Sequence, residues 1–268
     1  MVKHVKPNKV YYSNSDGEGA RVTRELVSTL FYQLAAELTS AESLAFIEAT
    51  RIPNERELYG TFVKALLNSE LRSDLGYVAT EFQVERDDAD EQEETEVREG
   101  AKDQGKAKGR VDLFFNYRKT SFLLELKVVR VGIGGETDAS AEDTKANPKA
   151  RVIKPWLNGV ISQLEQLKIG PLSACLHQKV VKLPMVIYWY VDWRKNGPRE
   201  GWEQVAVGTH ERIVDDLSVR PPEFEYFTVF EQPLRTRKRR SDLGEIPDMS
   251  LYGFSLVAGT DFSAPIKG

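Results

Sequence analysis

Residues 109–129 read GRVDLFFNYRKTSFLLELKVV. Two apolar runs, RVDLFFNY (110–117) and SFLLELKVV (121–129), flank a short polar turn around Arg118–Thr120, which is the pattern of a β-hairpin. Asp112, Glu125 and Lys127 interrupt those runs. A charge in a buried strand is costly unless it is paired, hydrogen-bonded or bound to a metal, so the three need a common explanation. Side chains alternate faces along a strand. Glu125 and Lys127 therefore share a face, roughly 7 Å apart along the strand. Phe122, Leu124, Leu126 and Val128 point the other way, toward a core under helices. With paired strands about 5 Å apart, the Asp112 carboxylate on the neighbouring strand can reach that of Glu125. A slip of one residue would turn Asp112 to the opposite face and dissolve the arrangement.

Two converging carboxylates repel, and a cation between them removes the problem. Mg²⁺ is a hard, oxygen-seeking ion that takes one or two carboxylates and keeps several waters. Such an ion polarises a phosphoryl oxygen and helps to generate hydroxide. An adjacent ammonium adds fixed positive charge where a pentacovalent phosphate develops negative charge. The trio thus has the chemistry of metal-assisted phosphodiester hydrolysis.

Working outward, RVTRELVSTLFYQLAAEL (21–38) has apolar residues at helical spacing, and TSAESLAFIEAT (39–50) opens on a cap-like Thr39 or Ser40. Asn54 is an N-cap for a third helix at 55–70, with Leu58, Phe62, Ala65 and Leu66 on one face. GYVATEFQVE (76–85) reads as a strand. Residues 85–96 hold eight acidic residues in twelve, the signature of a solvated loop. After the hairpin, the Gly-rich stretch 132–150 reads as a loop. A helix follows at 154–168, with Trp156, Val160, Gln163, Leu164 and Leu167 in one stripe. KLPMVIYWYVDW (182–193) is a strongly apolar strand. WEQVAVG (202–208) reads as a strand, THERIVDDLSV (209–219) as a short helix and EFEYFTVFE (223–231) as another strand. KVYYS (9–13) reads as a short N-terminal strand, and the last residues show little regular pattern.

The hairpin and its surroundings resemble the PD-(D/E)xK nuclease superfamily. The resemblance is carried by Asp112 in GRVDLFF, by the triplet Glu125-Leu126-Lys127 in FLLELK, and by the order helix, three strands, helix, strand between about 55 and 192. It implies an α/β fold with a restriction-endonuclease-like core, a mixed central β-sheet flanked by helices (αβββαβ), plus extra N-terminal helices. It implies a nuclease core at 51–195, an N-terminal arm and helices at 1–50, and a C-terminal extension of the same domain at 196–268. It implies that Asp112, Glu125 and the carbonyl of Leu126 hold Mg²⁺ or Mn²⁺, and that Lys127 positions or activates the water. A Glu in the preceding helix and a Gln in the following one accompany such sites. Glu57 is preferred here over Glu55, with Glu81 of the first strand as a third choice, and Gln163 is preferred over Gln166. Val111 stands where the family's Pro would be, and 23 residues from Val131 to Ile153 separate the ExK strand from its helix.

The implied activity is a metal-dependent nuclease acting on DNA. RNA cleavage is one alternative, and a non-catalytic interaction module of the same fold within a larger nucleic-acid-processing or defence complex is the other. A homodimer is the assembly that the resemblance suggests. The 268 residues are 41% apolar and 29% charged, with a net charge of −4. No global attraction draws such a chain to nucleic acid, so contacts must come from a local basic patch. Lys106, Lys108 and Arg110 approach the hairpin from one side, joined by Lys102, and RTRKRR (235–240) is a second basic run. One cysteine, Cys175, excludes a disulfide within the chain and fits a reducing, cytoplasmic setting. The polar start does not read as a signal peptide, and no apolar run approaches the ~20 residues of a membrane span. His4, His177 and His210 are scattered without metal-ligand spacing, and GIGGE (132–136) lacks the lysine of a phosphate loop.

Overall fold

The computed structural model describes residues 2–3, 18–86, 108–133, 160, 164, 167–168, 179–192, 200–216, 224–236, 239–241, 244–246, 249–259 and 261–263. Three helices lead the chain: α1 (Glu18–Leu38), α2 (Ala41–Ala49) and α3 (Glu55–Asn68). Ser40 caps α2, accepting from the amide of Ser43. Asn54 caps α3 in a capping box, with its side chain on the Glu57 amide and the Glu57 side chain on its own amide. A 3₁₀ turn (Glu70–Asp74) then leads into the sheet.

The strands are β1 (Val2–Lys3), β2 (Leu75–Arg86), β3 (Lys108–Tyr117), β4 (Thr120–Gly132), β5 (Leu167–Lys168), β6 (Lys179–Asp192), β7 (Phe224–Thr236), β8 (Arg239–Ser241), β9 (Gly244–Ile246), β10 (Met249–Ala258) and β11 (Asp261–Ser263). Nine form one sheet in the order β1-β7-β10-β6-β4-β3-β2-β5, with β11 also on β6, while β8 and β9 pair apart. β4 and β6 run parallel, and the other pairs of the large sheet are antiparallel. The protein is therefore mixed α/β. A parallel pair needs a crossover between its strands, and Val160 and Leu164, helical and buried, lie on the connecting chain.

Each face of the sheet is covered. Leu113, Phe115, Phe122, Leu124 and Leu126 pack with Leu30, Leu34, Phe62 and Leu66 of α1 and α3. Phe114, Leu123 and Val129 pack on the other side with Val160, Leu164, and Ala206 and Ile213 of α4 (Trp202–Asp216). Burial on both faces explains why the central strands read as unbroken apolar runs.

Four expectations need correction. WEQVAVG is the first half of α4: Trp202, Ala206, Thr209 and Ile213 recur at helical spacing, which overrides the β-branched Val205 and Val207. The C-terminal region is not patternless, because MSLYGFSLVA is β10, buried along its length between β6 and β7. The helix expected through 168 does not include Leu167 and Lys168, which pair as a strand with Arg86 and Glu85. β7 runs to Thr236, so Arg235 belongs to a strand rather than to a separate basic segment. KVYYS, Cys175, His4, His177 and most of the acidic run lie outside the described residues. Among the described residues, no helix is long and apolar enough to cross a membrane.

Candidate active site

The β3–β4 ladder runs from Tyr117↔Thr120 to Leu113↔Leu124. The ladder ends one residue short of Asp112 and of Glu125. Both are buried, each 6% exposed. The paired ladder stops there, and Asp112 fills the parting. Its Oδ2 accepts from the Leu126 amide at 2.8 Å, and its Oδ1 accepts from the hydroxyl of Tyr59 on α3. β6 places Pro184, which has no amide to donate, level with Glu125. On the other side, β2 pairs Thr80 with Leu113 and Phe82 with Val111, and the intervening Glu81 has φ +53°.

Lys127 Nζ stands 3.6 Å from Glu125 Oε1 and 3.3 Å from Glu55 Oε2. Glu55, the first residue of α3, also accepts from the Val128 amide at 3.4 Å. Arg130 donates to the carbonyl of Ile52 at 3.2 Å. These contacts tie the start of α3 to the far end of β4. Between them lies an open cleft of about 480 Å³, lined by Pro53, Asn54, Glu55, Arg56, Val128, Val129 and Arg130.

The Tyr59 phenol reports the electrostatics. Its pKa is raised, first by burial, then by the hydrogen bond to Asp112 and the Asp112 charge, with the Glu125 charge adding and Arg110 opposing. The hydroxyl thus lies within reach of the fields of both carboxylates and of Arg110. Asp112, Glu125 and Glu55 bring three carboxylates to Tyr59 and Lys127. Among the described residues, no group of three or more His, Cys, Asp or Glu side chains is arranged to hold a metal ion. The donors that fit are two carboxylates with the backbone carbonyl of Leu126, hard oxygens that suit Mg²⁺ or Mn²⁺ completed by water. Asp112 spends one position per oxygen on Tyr59 and Leu126, and a carboxylate offers about four, so capacity remains.

The upstream acid needs correction. Glu57 is committed to the α3 capping box and to Arg51 at 2.6 Å, on the exposed side of the helix. Glu55 is the helix carboxylate that meets Lys127. Glu81 meets Arg110 at 3.2 Å and Arg56 at 3.4 Å instead of the two strand carboxylates. Gln163, Gln166, Lys102 and Lys106 lie outside the described residues, and Lys108 opens β3, opposite Glu85. Arg110 is exposed beside the site. His210 belongs to a separate buried network with Tyr190 and Glu225 on the α4 side of the sheet.

Sequence reasoning missed Tyr59, Arg56 and Arg130. A signal for Tyr59 existed: Glu55, Tyr59, Phe62 and Leu66 fall at i, i+4, i+7 and i+11, one stripe in which the last three are buried and Glu55 is half-buried, while Glu57 is about 200° from Glu55 around the helix. Comparison with known proteins returns no match: no family model, no curated protein and no solved structure matches this chain.

Proposed function

We propose that this protein is a divalent-metal-dependent nuclease of the PD-(D/E)xK type, with a restriction-endonuclease-like core, that hydrolyses phosphodiester bonds of DNA. The observation that supports the reading is a pair of buried carboxylates just past the end of the β3–β4 ladder, Asp112 bonded to the Leu126 amide and Glu125 with the Lys127 ammonium 3.6 Å away. Asp112 and Glu125 hold the cation, with the Leu126 carbonyl beside them. Bound there, Mg²⁺ or Mn²⁺ supplies a Lewis acid for the phosphoryl oxygen and lowers the pKa of a coordinated water. Tyr59 and the Leu126 amide fix the Asp112 carboxylate by two hydrogen bonds, so its orientation is set before substrate arrives. Lys127 holds its charge beside the attacking water. Glu55 holds Lys127 in place and offers a carboxylate that can accept a proton from that water. A homodimer, with one site per strand, is the assembly that duplex cutting would call for.

The test is cleavage of plasmid, single-stranded DNA and RNA with Mg²⁺ or Mn²⁺, beside Glu125→Ala and Lys127→Ala. Wild-type cleavage that both variants lose by at least about a hundredfold is expected. No cleavage by the wild type, or equal cleavage by all three proteins, rejects the enzyme and leaves a non-catalytic module of the same fold. Cleavage of RNA alone moves the substrate. Calorimetric titration with Mn²⁺ examines the centre itself, and unchanged binding by Asp112→Ala would remove Asp112 from the metal shell.

A further inference from the structure

Glu81 is an anomaly the nuclease chemistry does not use. It is a non-glycine residue at φ +53° within a strand, between the pairs Thr80–Leu113 and Phe82–Val111 that bracket Asp112 on β3. Such backbone is uncommon outside glycine and concentrates at functional sites. Its Oε1 receives two guanidinium groups from two different elements: Arg56 Nε of α3 at 3.4 Å and Arg110 Nη1 of β3 at 3.2 Å. All three side chains are exposed, at 69%, 44% and 40% for Arg56, Arg110 and Glu81. Two cations against one carboxylate leave one positive charge over.

We infer that Arg56 and Arg110 form a phosphate-binding fork for the nucleic-acid backbone next to the metal site, and that Glu81 occupies the fork in the free protein as a competing anion. The inference rests on the nuclease reading for its substrate. A phosphodiester carries one negative charge on two unesterified oxygens, and two converging guanidiniums suit it better than they suit one carboxylate oxygen. The position is right for an internal phosphate. Arg110 lies two residues before Asp112, and its charge is felt at the Tyr59 hydroxyl that bonds Asp112. Arg56 lines the cleft between α3 and β4, together with Arg130. A strand lying in that cleft would bring one phosphate to the fork while its neighbour approaches Asp112 and Glu125. Glu81 then swings out, and the net gain is small for weak anions and large for a polyanion. This is a discriminating device: the carboxylate screens the fork from isolated small anions, while a backbone bound at several points displaces it.

The test is fluorescence anisotropy with labelled single- and double-stranded DNA, without and with a 5′-phosphate, in EDTA so that nothing is cut. Wild type, Glu81→Gln, Arg56→Ala, Arg110→Ala and the double variant Glu81→Gln/Arg56→Ala are compared across salt concentrations. Removing the competitor tightens binding by Glu81→Gln, by roughly twofold to fivefold, the scale of an exposed ion pair. Each Arg→Ala weakens binding and lowers the salt slope by about one, and the double variant loses the gain. If Glu81→Gln melts early, Glu81→Gly, which suits a positive φ, gives the same readout. Binding by a folded Glu81 variant that is unchanged or weaker overturns the fork. So does a loss of Mn²⁺ affinity, which would place Glu81 in the metal shell. An effect confined to 5′-phosphorylated DNA overturns the internal phosphate. Tighter binding by Glu81→Gln in a protein that cuts nothing would leave the fork standing and the nuclease rejected, and cleavage with no change in binding would do the reverse.

Discussion

Replacing Tyr59 by Phe removes one oxygen and changes the balance of the whole site. The phenol is 7% exposed and donates to a carboxylate that is 6% exposed. A hydrogen bond to a charged group contributes about 1.5–3 kcal/mol, and its loss leaves Asp112 with only the Leu126 amide. Tyr59→Phe should therefore unfold at lower urea at pH 7, with a melting temperature down by about 3–10 °C for a chain of this size. The pH dependence sharpens the test. The Tyr59 pKa is raised, first by burial and then by Asp112, so the folded protein holds this proton when the unfolded chain has lost it. Its contribution to stability is complete below the ordinary phenol pKa near 10 and is lost as pH rises above it. The slope is about 1.4 kcal/mol per pH unit. The variant has no such proton, so its stability falls less steeply, and the two curves should converge at about pH 11–12. Urea titrations from pH 7 to 11 with circular dichroism read both effects. Equal stability at pH 7, or parallel curves above pH 10, would refute the claim that this hydroxyl holds a buried carboxylate in place.

Glu55→Gln should loosen Lys127 and reduce cleavage by at least about tenfold, whereas Glu57→Gln should cost about 1 kcal/mol through the α3 cap and leave cleavage unchanged; kcat and urea midpoints of the two variants check this. Saturating Mg²⁺, at about a hundred times its dissociation constant, should stabilise the wild type by roughly 2.7 kcal/mol. Differential scanning calorimetry would register a rise of several degrees that Asp112→Asn lacks. Gly253→Ala should cost about 3 kcal/mol or more. Its new Cβ would stand 2.2 Å from the Thr228 carbonyl oxygen and 2.9 Å from Val229 Cα, both backbone atoms of β7. Urea midpoints within ~1 kcal/mol of wild type would deny that close approach.

The elements that were legible in the sequence are those whose signal is local. α1 and α3 have one apolar stripe each, and the Ser40 and Asn54 caps and the turn at Arg118 are marked by residue chemistry. The β3–β4 hairpin and its register from Tyr117↔Thr120 to Leu113↔Leu124 followed from alternation and a short turn, because in a tight hairpin the loop length fixes the register. What failed depended on neighbours. β10 is buried on both faces and so lacks the alternation that announces a strand, and its close approach at Gly253 shows only against β7. α4 was divided because Val205 and Val207 carry β propensity, which the packed face of Trp202, Ala206 and Ile213 outweighs. The choice between Glu57 and Glu55 turns on the helix face, and the stripe through Tyr59 and Phe62 is the one that carries Glu55 toward Lys127. Arg56 and Arg130 carry no local signal, because only the meeting of α3 with β2 and β4 makes neighbours of them.

One line across the sheet bears on whether these charges are there for stability. Glu125 of β4 is level with Pro184 of β6, Glu81 of β2 and Asp112 of β3 lie between the pairs Thr80–Leu113 and Phe82–Val111, and both Asp112 and Glu125 follow the last β3–β4 pair. Each breaks a rule of regular sheet: a positive φ outside glycine, two buried carboxylates past the end of a ladder, and a proline without an amide. Strained backbone of this kind costs of order 1–3 kcal/mol, and buried charges add to it. On either side the ladders resume, with Phe115 stacked on Phe122 at 5.3 Å and β4 paired with β6 in unbroken register from Thr120 to Gly132, and among the described residues the other irregularities are register shifts at Leu75/Val78 and at Leu251/Gly253. The grouping of the charged residues near the α3 N-terminus, which is tied to β4 through Glu55 and the Ile52 carbonyl, is what the proposed entry of a cation and a phosphate would require, with the flanking ladders holding the parting fixed. The three charges that made the hairpin hard to explain are thus one part of a transverse break, and its cost is intelligible as the cost of a site.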